Sequence, residues 1–165
     1  MHTYIVGITN SGKSHLAKHL AREYKAAGFS IIVLDPQGSR EWAEIADTYT
    51  EDRDEFLDVF WRSRNCKVFV DECQDVMDDH DKEMAKIVKR GRHNGHQVFL
   101  ISQRPKSIPR NARTQCSQII SFKQARDEAR TMASEIGNDD FVIAGELGRY
   151  EFVQGDNFTV TVQKL

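Results

Sequence analysis

The chain has 165 residues, enough for one hydrophobic core and not for two, so a single domain spanning 1–165 is expected. With 39% hydrophobic and 29% charged residues it reads as globular rather than disordered, and no apolar run reaches the length of a membrane span. A formal charge of −2 excludes a generally basic nucleic-acid binder, so any such contact must come from a local patch.

In chain order, Tyr4–Val6 is a short β-rich run that ends in Gly7. It follows the first residues directly, so no signal peptide is expected. Lys13–Ala27 carries Leu16, Leu20, Tyr24 and Ala27 at helical spacing, with Gly28 as its stop. Ile31–Leu34 is a continuous apolar run of the buried parallel kind, closed by Asp35-Pro36. Asp54–Arg62 is expected to be helical, with Phe56, Leu57, Phe60 and Trp61 on its apolar side. Val68–Val70 is the next buried strand and ends at Asp71-Glu72. Asp81–Arg90 repeats the helical spacing through Met84, Ile87 and Val88, and Gly91 and Gly95 flank a basic loop. Gln97–Ser102 and Ser117–Phe122 are further strands, and Ala125–Ile136 is a helix closed by Gly137. The tail reads as a β-hairpin, Tyr150–Gln154 and Phe158–Gln163 around Gly155-Asp156-Asn157.

Strands that are apolar throughout and alternate with helices imply an α/β fold. Its central sheet is mainly parallel, is covered on both faces, and carries a C-terminal β-hairpin. Ligands of such sheets sit beyond the carboxyl ends of the strands. Three of those ends carry polar or glycine-rich chemistry: Gly7 onward, Asp71-Glu72 and Ser102-Gln103-Arg104.

Gly7-Ile8-Thr9-Asn10-Ser11-Gly12-Lys13-Ser14 fits G-x-x-x-x-G-K-[ST] in full. Glycines allow consecutive backbone amides to wrap an anion, and the following helix adds the positive end of its dipole. Gly7, Thr9, Asn10, Ser11, Gly12, Lys13, Ser14 and His15 are therefore the expected ATP contacts. Lys13 would neutralise the β- and γ-phosphates, and the Ser14 hydroxyl would ligate Mg²⁺. Of the two acids after Val70, Asp71 can hold Mg²⁺ through water and Glu72 can polarise the attacking water. The aspartates that follow, Asp75, Asp78 and Asp79, are expected at the surface. Gln103, if its strand lies beside the first, would face the γ-phosphate and position the water.

Lys89-Arg90-Gly91-Arg92-His93 is open to three readings: cations at a helix C-terminus, an arginine (Arg90 or Arg92) supplied to a neighbouring subunit's ATP, or a nucleic-acid patch. Lys106, Arg110 and Arg113 form a second basic stretch, facing a polyanion or simply solvated. His93 and His96 lack the partners of a zinc site, and a surface turn is expected there. Cys66, Cys73 and Cys116 are odd in number and scattered, which argues for a reducing compartment such as the cytoplasm.

The ordered set of Gly7–Ser14, Ile31–Pro36, Val68–Glu72, Arg90-Gly91-Arg92-His93-Asn94-Gly95 and Leu100–Pro105 resembles the HerA/FtsK superfamily of RecA-like P-loop ATPases, over roughly Ile5 to Phe122. The phosphate loop is generic. The R-G-R-x-x-G segment leading into a strand that ends in Gln-Arg-Pro is what selects this superfamily. Among its members the chain looks most like the genome-packaging ATPases of membrane-containing viruses, with the Zot-type assembly proteins of filamentous phages as neighbours. The extra domains of cellular translocases and the Zot membrane helix are not expected here. The resemblance implies a ring, usually hexameric, with ATP at subunit interfaces and double-stranded DNA in the pore. It also implies capsid or membrane-vertex proteins as further partners, and a place in the host cytoplasm or at the virion vertex. Two alternatives stand beside the DNA translocase: a nucleotide-switched assembly or loader ATPase, and a nucleotide kinase, which the Asp71-Glu72 pair suits less well than water as acceptor.

Overall fold

The computed structural model describes residues 1–78 and 81–165, so Asp79 falls outside the described residues. The elements are β1 (His2–Val6), α1 (Lys13–Ala26), β2 (Ile31–Leu34), α2 (Arg40–Ile45), β3 (Thr48–Thr50), α3 (Arg53–Arg62) and β4 (Lys67–Val70). They continue with α4 (Lys82–Arg90), β5 (Gln97–Ser102), α5 (Arg110–Arg113), β6 (Cys116–Phe122), α6 (Arg126–Ile136), β7 (Glu151–Gly155) and β8 (Val160–Lys164).

One eight-stranded sheet runs β3-β2-β4-β5-β1-β6-β7-β8. It is parallel from β3 to β6, and the hairpin β7–β8 joins it antiparallel through β6. The unbroken apolar character of the strands has a direct cause. Tyr4, Val6, Ile32, Leu34, Val68, Val70, Val98 and Leu100 enter one core with α3, α4 and α6, while Ile5, Ile31, Val33, Phe69, Phe99 and Ile101 enter the other with α1 and α2. Successive side chains point to opposite faces, and both faces are buried.

Helix ends follow their capping residues. Asp52 accepts the Glu55 amide at the start of α3, Asp81 accepts the Glu83 and Met84 amides at the start of α4, and Gly137 closes α6 at φ +78°. The hairpin turn is held by Asp156, whose carboxylate accepts the Phe158 and Thr159 amides.

The sequence reading omits α2, β3 and α5. The six-residue α2 lacks a side-chain cap, and its burial comes from Trp42 and Ile45 packing on the sheet. Its formation is thus decided by tertiary contact rather than local propensity.

For the site, the decisive feature is the position of β5. It lies between β1 and β4, pairing Val6 with Ser102 on one side and Val70 with Leu100 on the other. The ends carrying the glycine-rich loop, Gln103 and the acid pair are therefore three neighbours in a row.

Candidate active site

The loop from Gly7 to Gly12 is built around positions that exclude ordinary residues. A Cβ on Gly7 would lie 2.6 Å from Phe122 Cβ and 2.8 Å from Ser11 Oγ, so only glycine fits beneath the loop. Gly12 sits at φ +116° and Asn10 at φ +61°, both in the left-handed half of backbone space. Ile8 and Ser11 donate their amides to Lys123 O and Ile8 O. Among the described residues the amides of Thr9, Asn10 and Gly12 donate to no protein acceptor. Those of Lys13, Ser14 and His15 are in the first turn of α1 and have no intrahelical acceptor by geometry. The Ser11 hydroxyl is buried without a partner among the described residues. The result is a nest of unfilled donors at a helix N-terminus, which fits a polyphosphate.

Lys13 is 5% exposed, and its ammonium donates to Ile8 O at 3.1 Å. Burial lowers its pKa, opposed by the negative charges of Glu72 and Asp71. Lys13, Ser14 and His15 line a cleft of about 280 Å³ together with Glu72 and, from the segment before β7, Arg149 and Tyr150.

The acid pair is held from several directions. Asp71 accepts the Glu72 amide at Oδ1 (3.0 Å) and the Trp42 indole N–H at Oδ2 (2.7 Å). The Trp42 ring leans on Phe69 with centroids 5.4 Å apart, and Phe69 stacks on Phe99 at 4.4 Å. A column of rings from α2 through β4 to β5 thus fixes the direction of the carboxylate. Burial raises the Asp71 pKa, opposed by those two hydrogen bonds and reinforced by the charges of Glu72 and Asp35.

Glu72 takes φ +44°, ψ +48°, an uncommon conformation for a residue with a Cβ. This left-handed turn ends β4 and leads into the 3-10 turn Cys73–Asp75. It brings the Glu72 carboxylate to Gln103, whose Nε2 donates to Oε2 at 3.2 Å. Thr9 Oγ1 donates to Gln103 Oε1 at 3.3 Å, and Gln74 Nε2 also donates to Glu72 Oε2. A hydrogen-bonded path therefore runs Thr9–Gln103–Glu72–Gln74 across the ends of β1, β5 and β4.

The donor set fits Mg²⁺. Ser14 contributes a half-buried hydroxyl without a protein partner among the described residues, and Asp71 contributes carboxylate oxygens that each keep a further lone pair. These are hard oxygen ligands, and Mg²⁺ bound with phosphates needs only one or two from the protein. Among the described residues there is no cluster of three or more His, Cys, Asp or Glu side chains that could cage a metal.

Arg90 and Arg92 are not in this cleft. Arg90 ends α4 and Arg92 sits in the 3-10 turn Gly91–Asn94 that leads into the start of β5, at the amino edge of the sheet. The six residues of β5, at about 3.3 Å each, put roughly 20 Å between that edge and the loop. Both arginines are exposed, and neither has a hydrogen bond or salt bridge among the described residues.

The glycines of this motif are packing residues. A Cβ on Gly91 would lie 2.8 Å from the Phe60 ring, and one on Gly95 (φ +77°) would lie 2.0 Å from Asn65 Oδ1.

Two expectations at the basic segments are corrected. His96 is buried, not part of a surface turn: Nδ1 accepts the Cys66 amide at 3.2 Å and Nε2 lies 3.0 Å from Phe60 O, so it ties β5 to the neighbouring strand and helix. Arg113 is not free for a polyanion. Its side chain is 12% exposed, pairs with Glu135 at 3.0 Å and donates to Pro105 O. Lys106 and Arg110 are exposed as expected, as are His93, Asp75 and Asp78.

Sequence reasoning missed Trp42, Gln74, Arg149 and Tyr150. A Trp three residues before Ile45 is a helical pair that could have signalled α2. No signal in the sequence places Tyr150 beside a loop 138 positions earlier, counting from Gly12.

Comparison with known proteins bears on the fold. Residues 1–56 match the family described as "Helicase HerA, central domain". The genome-packaging NTPase B204 from Sulfolobus turreted icosahedral virus 2, solved with AMPPCP, superposes with a TM-score of 0.84 at 22% identity, covering 99% of this chain and 96% of that one. The pCW3 conjugation coupling protein TcpA, solved with ATPγS, gives 0.78 at 13% identity over 99% of this chain and 59% of that one. VirB4 of Thermoanaerobacter pseudethanolicus gives 0.77 at 11% identity over 99% and 89%. No curated protein sequence matches the chain. At these identities the likeness establishes the fold alone.

Proposed function

We propose that this chain, a P-loop fold of the HerA/FtsK type, hydrolyses ATP with Mg²⁺ and, as a ring of copies, a hexamer, uses that hydrolysis to move double-stranded DNA into a viral particle. The observation that carries the hydrolytic part is the Thr9–Gln103–Glu72 path across three adjacent strand ends. It couples the phosphate-binding loop to a carboxylate able to take a proton from water.

In this reading the loop amides and Lys13 grip the triphosphate, and Ser14 and Asp71 hold the metal. Mg²⁺ held by these two residues would supply a Lewis acid to the phosphoryl group. Glu72 accepts the proton of the attacking water while the Gln103 amide holds that carboxylate in place. Arg90 or Arg92, some 20 Å from its own loop by strand length, completes the site of the next subunit. The corresponding location is the host cytoplasm or the virion vertex, with capsid or membrane-vertex proteins as partners.

The test is specific ATPase activity across protein concentrations, with and without duplex DNA and with no other phosphoryl acceptor. Activity per subunit should rise with concentration and rise again with DNA. Activity that is flat in both would contradict the shared site and the DNA substrate, and phosphate release only on addition of a nucleotide acceptor would make the protein a kinase. A second reading, a nucleotide-switched assembly or loader ATPase, is favoured by one observation: internal pairing of Arg113 leaves Lys106 and Arg110 as the exposed cations of the second basic stretch. It predicts slow hydrolysis indifferent to DNA.

A further inference from the structure

The cleft has one wall that the hydrolytic machinery does not use. Glu72 and Gln103 stand on the β4–β5 side, so the terminal phosphoryl group lies there. The nucleoside end of a bound triphosphate must then leave the loop toward the opposite wall, formed by β6 and the hairpin. On that wall Phe122, Tyr150 and Leu165 close on Gly12, where an added Cβ would lie 3.0–3.1 Å from all three side chains.

Tyr150 is unusual in two respects. It takes φ +64°, disfavoured for a residue with a Cβ, yet the residue remains 40% exposed, so burial does not account for a tyrosine at that position. Its conformation is held nonetheless: its carbonyl accepts the Leu165 amide at 2.9 Å, and the Arg149 guanidinium lies 4.7 Å from the ring centroid. The outcome is an oriented, half-open aromatic face beside the last loop residue before α1, with a cation at its side.

We propose that Tyr150, oriented by Arg149, is the nucleobase platform of this cleft and takes the base of a nucleoside triphosphate by stacking. The inference rests on the reading of residues 7–15 as a triphosphate site and adds the wall that recognises the other end of the ligand. Every base has a π-face, so stacking binds purines without reading their edges.

The test is calorimetric binding of Mg-ATP, Mg-GTP and inorganic tripolyphosphate to the full chain. The variants are Tyr150→Gly, whose backbone suits φ +64° and preserves the turn while deleting the ring, and Tyr150→Phe, which keeps the ring. Wild type should bind ATP and GTP within about threefold of each other, since stacking does not discriminate them. Tyr150→Gly should weaken both by about tenfold, the loss of roughly one stacked base, while leaving tripolyphosphate within about twofold of wild type. Tyr150→Phe should match wild type for all three. Unchanged nucleotide affinity in Tyr150→Gly, or a loss that extends equally to tripolyphosphate, overturns the platform. A failure of the triphosphate reading itself is seen separately: wild type would then bind tripolyphosphate no better than a Lys13→Ala variant.

Discussion

The two edges of the sheet differ in what they leave open. At the carboxyl edge Asn10, Glu72 and Tyr150 hold left-handed backbone, and among the described residues three loop amides lack acceptors and a buried hydroxyl has no partner. At the amino edge most polar groups of the interior find partners within the fold, although among the described residues His2 Nε2 is buried without one and Asn65 holds left-handed backbone at φ +57°. The His2 ring accepts the Val98 amide, His96 bonds both neighbouring segments, and Gly91 and Gly95 seat the turn against Phe60 and Asn65. Arg90 and Arg92 stand exposed there without a hydrogen bond or salt bridge among the described residues. Unfilled loop donors suit an anion, and the proposed supply of an arginine to a neighbouring subunit would draw on two solvated cations at the other edge.

The largest effect that would break this contrast concerns delivery in trans. Arg90→Ala and Arg92→Ala are each expected to retain ATP binding, and the one that removes the delivered arginine should lower turnover by about a thousandfold. Mixing that variant with Lys13→Ala subunits should restore activity, because one supplies an intact loop and the other an intact arginine. No restoration across mixing ratios would place the arginines outside the reaction.

A second test addresses the internal economy of the amino edge through pH. Burial, assisted by positive charge at the chain's first residue, lowers the His2 pKa to about 4, and burial also lowers that of His96. Depressed histidine pKa values mean that the unfolded chain binds protons that the folded chain refuses. Stability from His2 is complete above pH 6.5 and is lost progressively as pH falls toward 4, by about 3 kcal/mol in total. Urea titrations between pH 7 and 4 should show that slope, and His2→Gln should flatten it. An equal slope in both proteins would remove His2 from the account.

The smallest expected effect sharpens the carboxyl edge. Trp42→Phe keeps the ring column on Phe69 but deletes the N–H that fixes Asp71. Loss of such an orienting bond should raise the Mg²⁺ concentration for half-maximal activity by about tenfold, with little change in ATP affinity measured without metal. An unchanged Mg²⁺ requirement would make the bond purely structural.

The same contrast explains what could be read from the sequence. The loop, the acid pair and Gln103 were legible because each is a polar break at the end of an apolar strand, and their residue types have few other uses in that pattern. The sheet itself was legible because burial on both faces leaves β2 and the stretches Val68–Val70 and Val98–Ile101 wholly apolar. Trp42 was not, because α2 exists through packing on Phe69 rather than through its own six residues. Tyr150 reads as the first residue of an alternating strand but takes left-handed backbone just before one. His96 reads as part of a surface turn and Arg113 as a surface cation, and only the fold brings Phe60 O and Glu135 to them.

The central claim is that Glu72 prepares water at the end of a triphosphate gripped by the loop. ATP binding and single-turnover phosphate release, measured on one preparation each of wild type and Glu72→Gln, test it most directly. The account predicts ATP affinity within about twofold and release slowed by a factor of about 10² to 10⁴. Release at the wild-type rate from Glu72→Gln would contradict it.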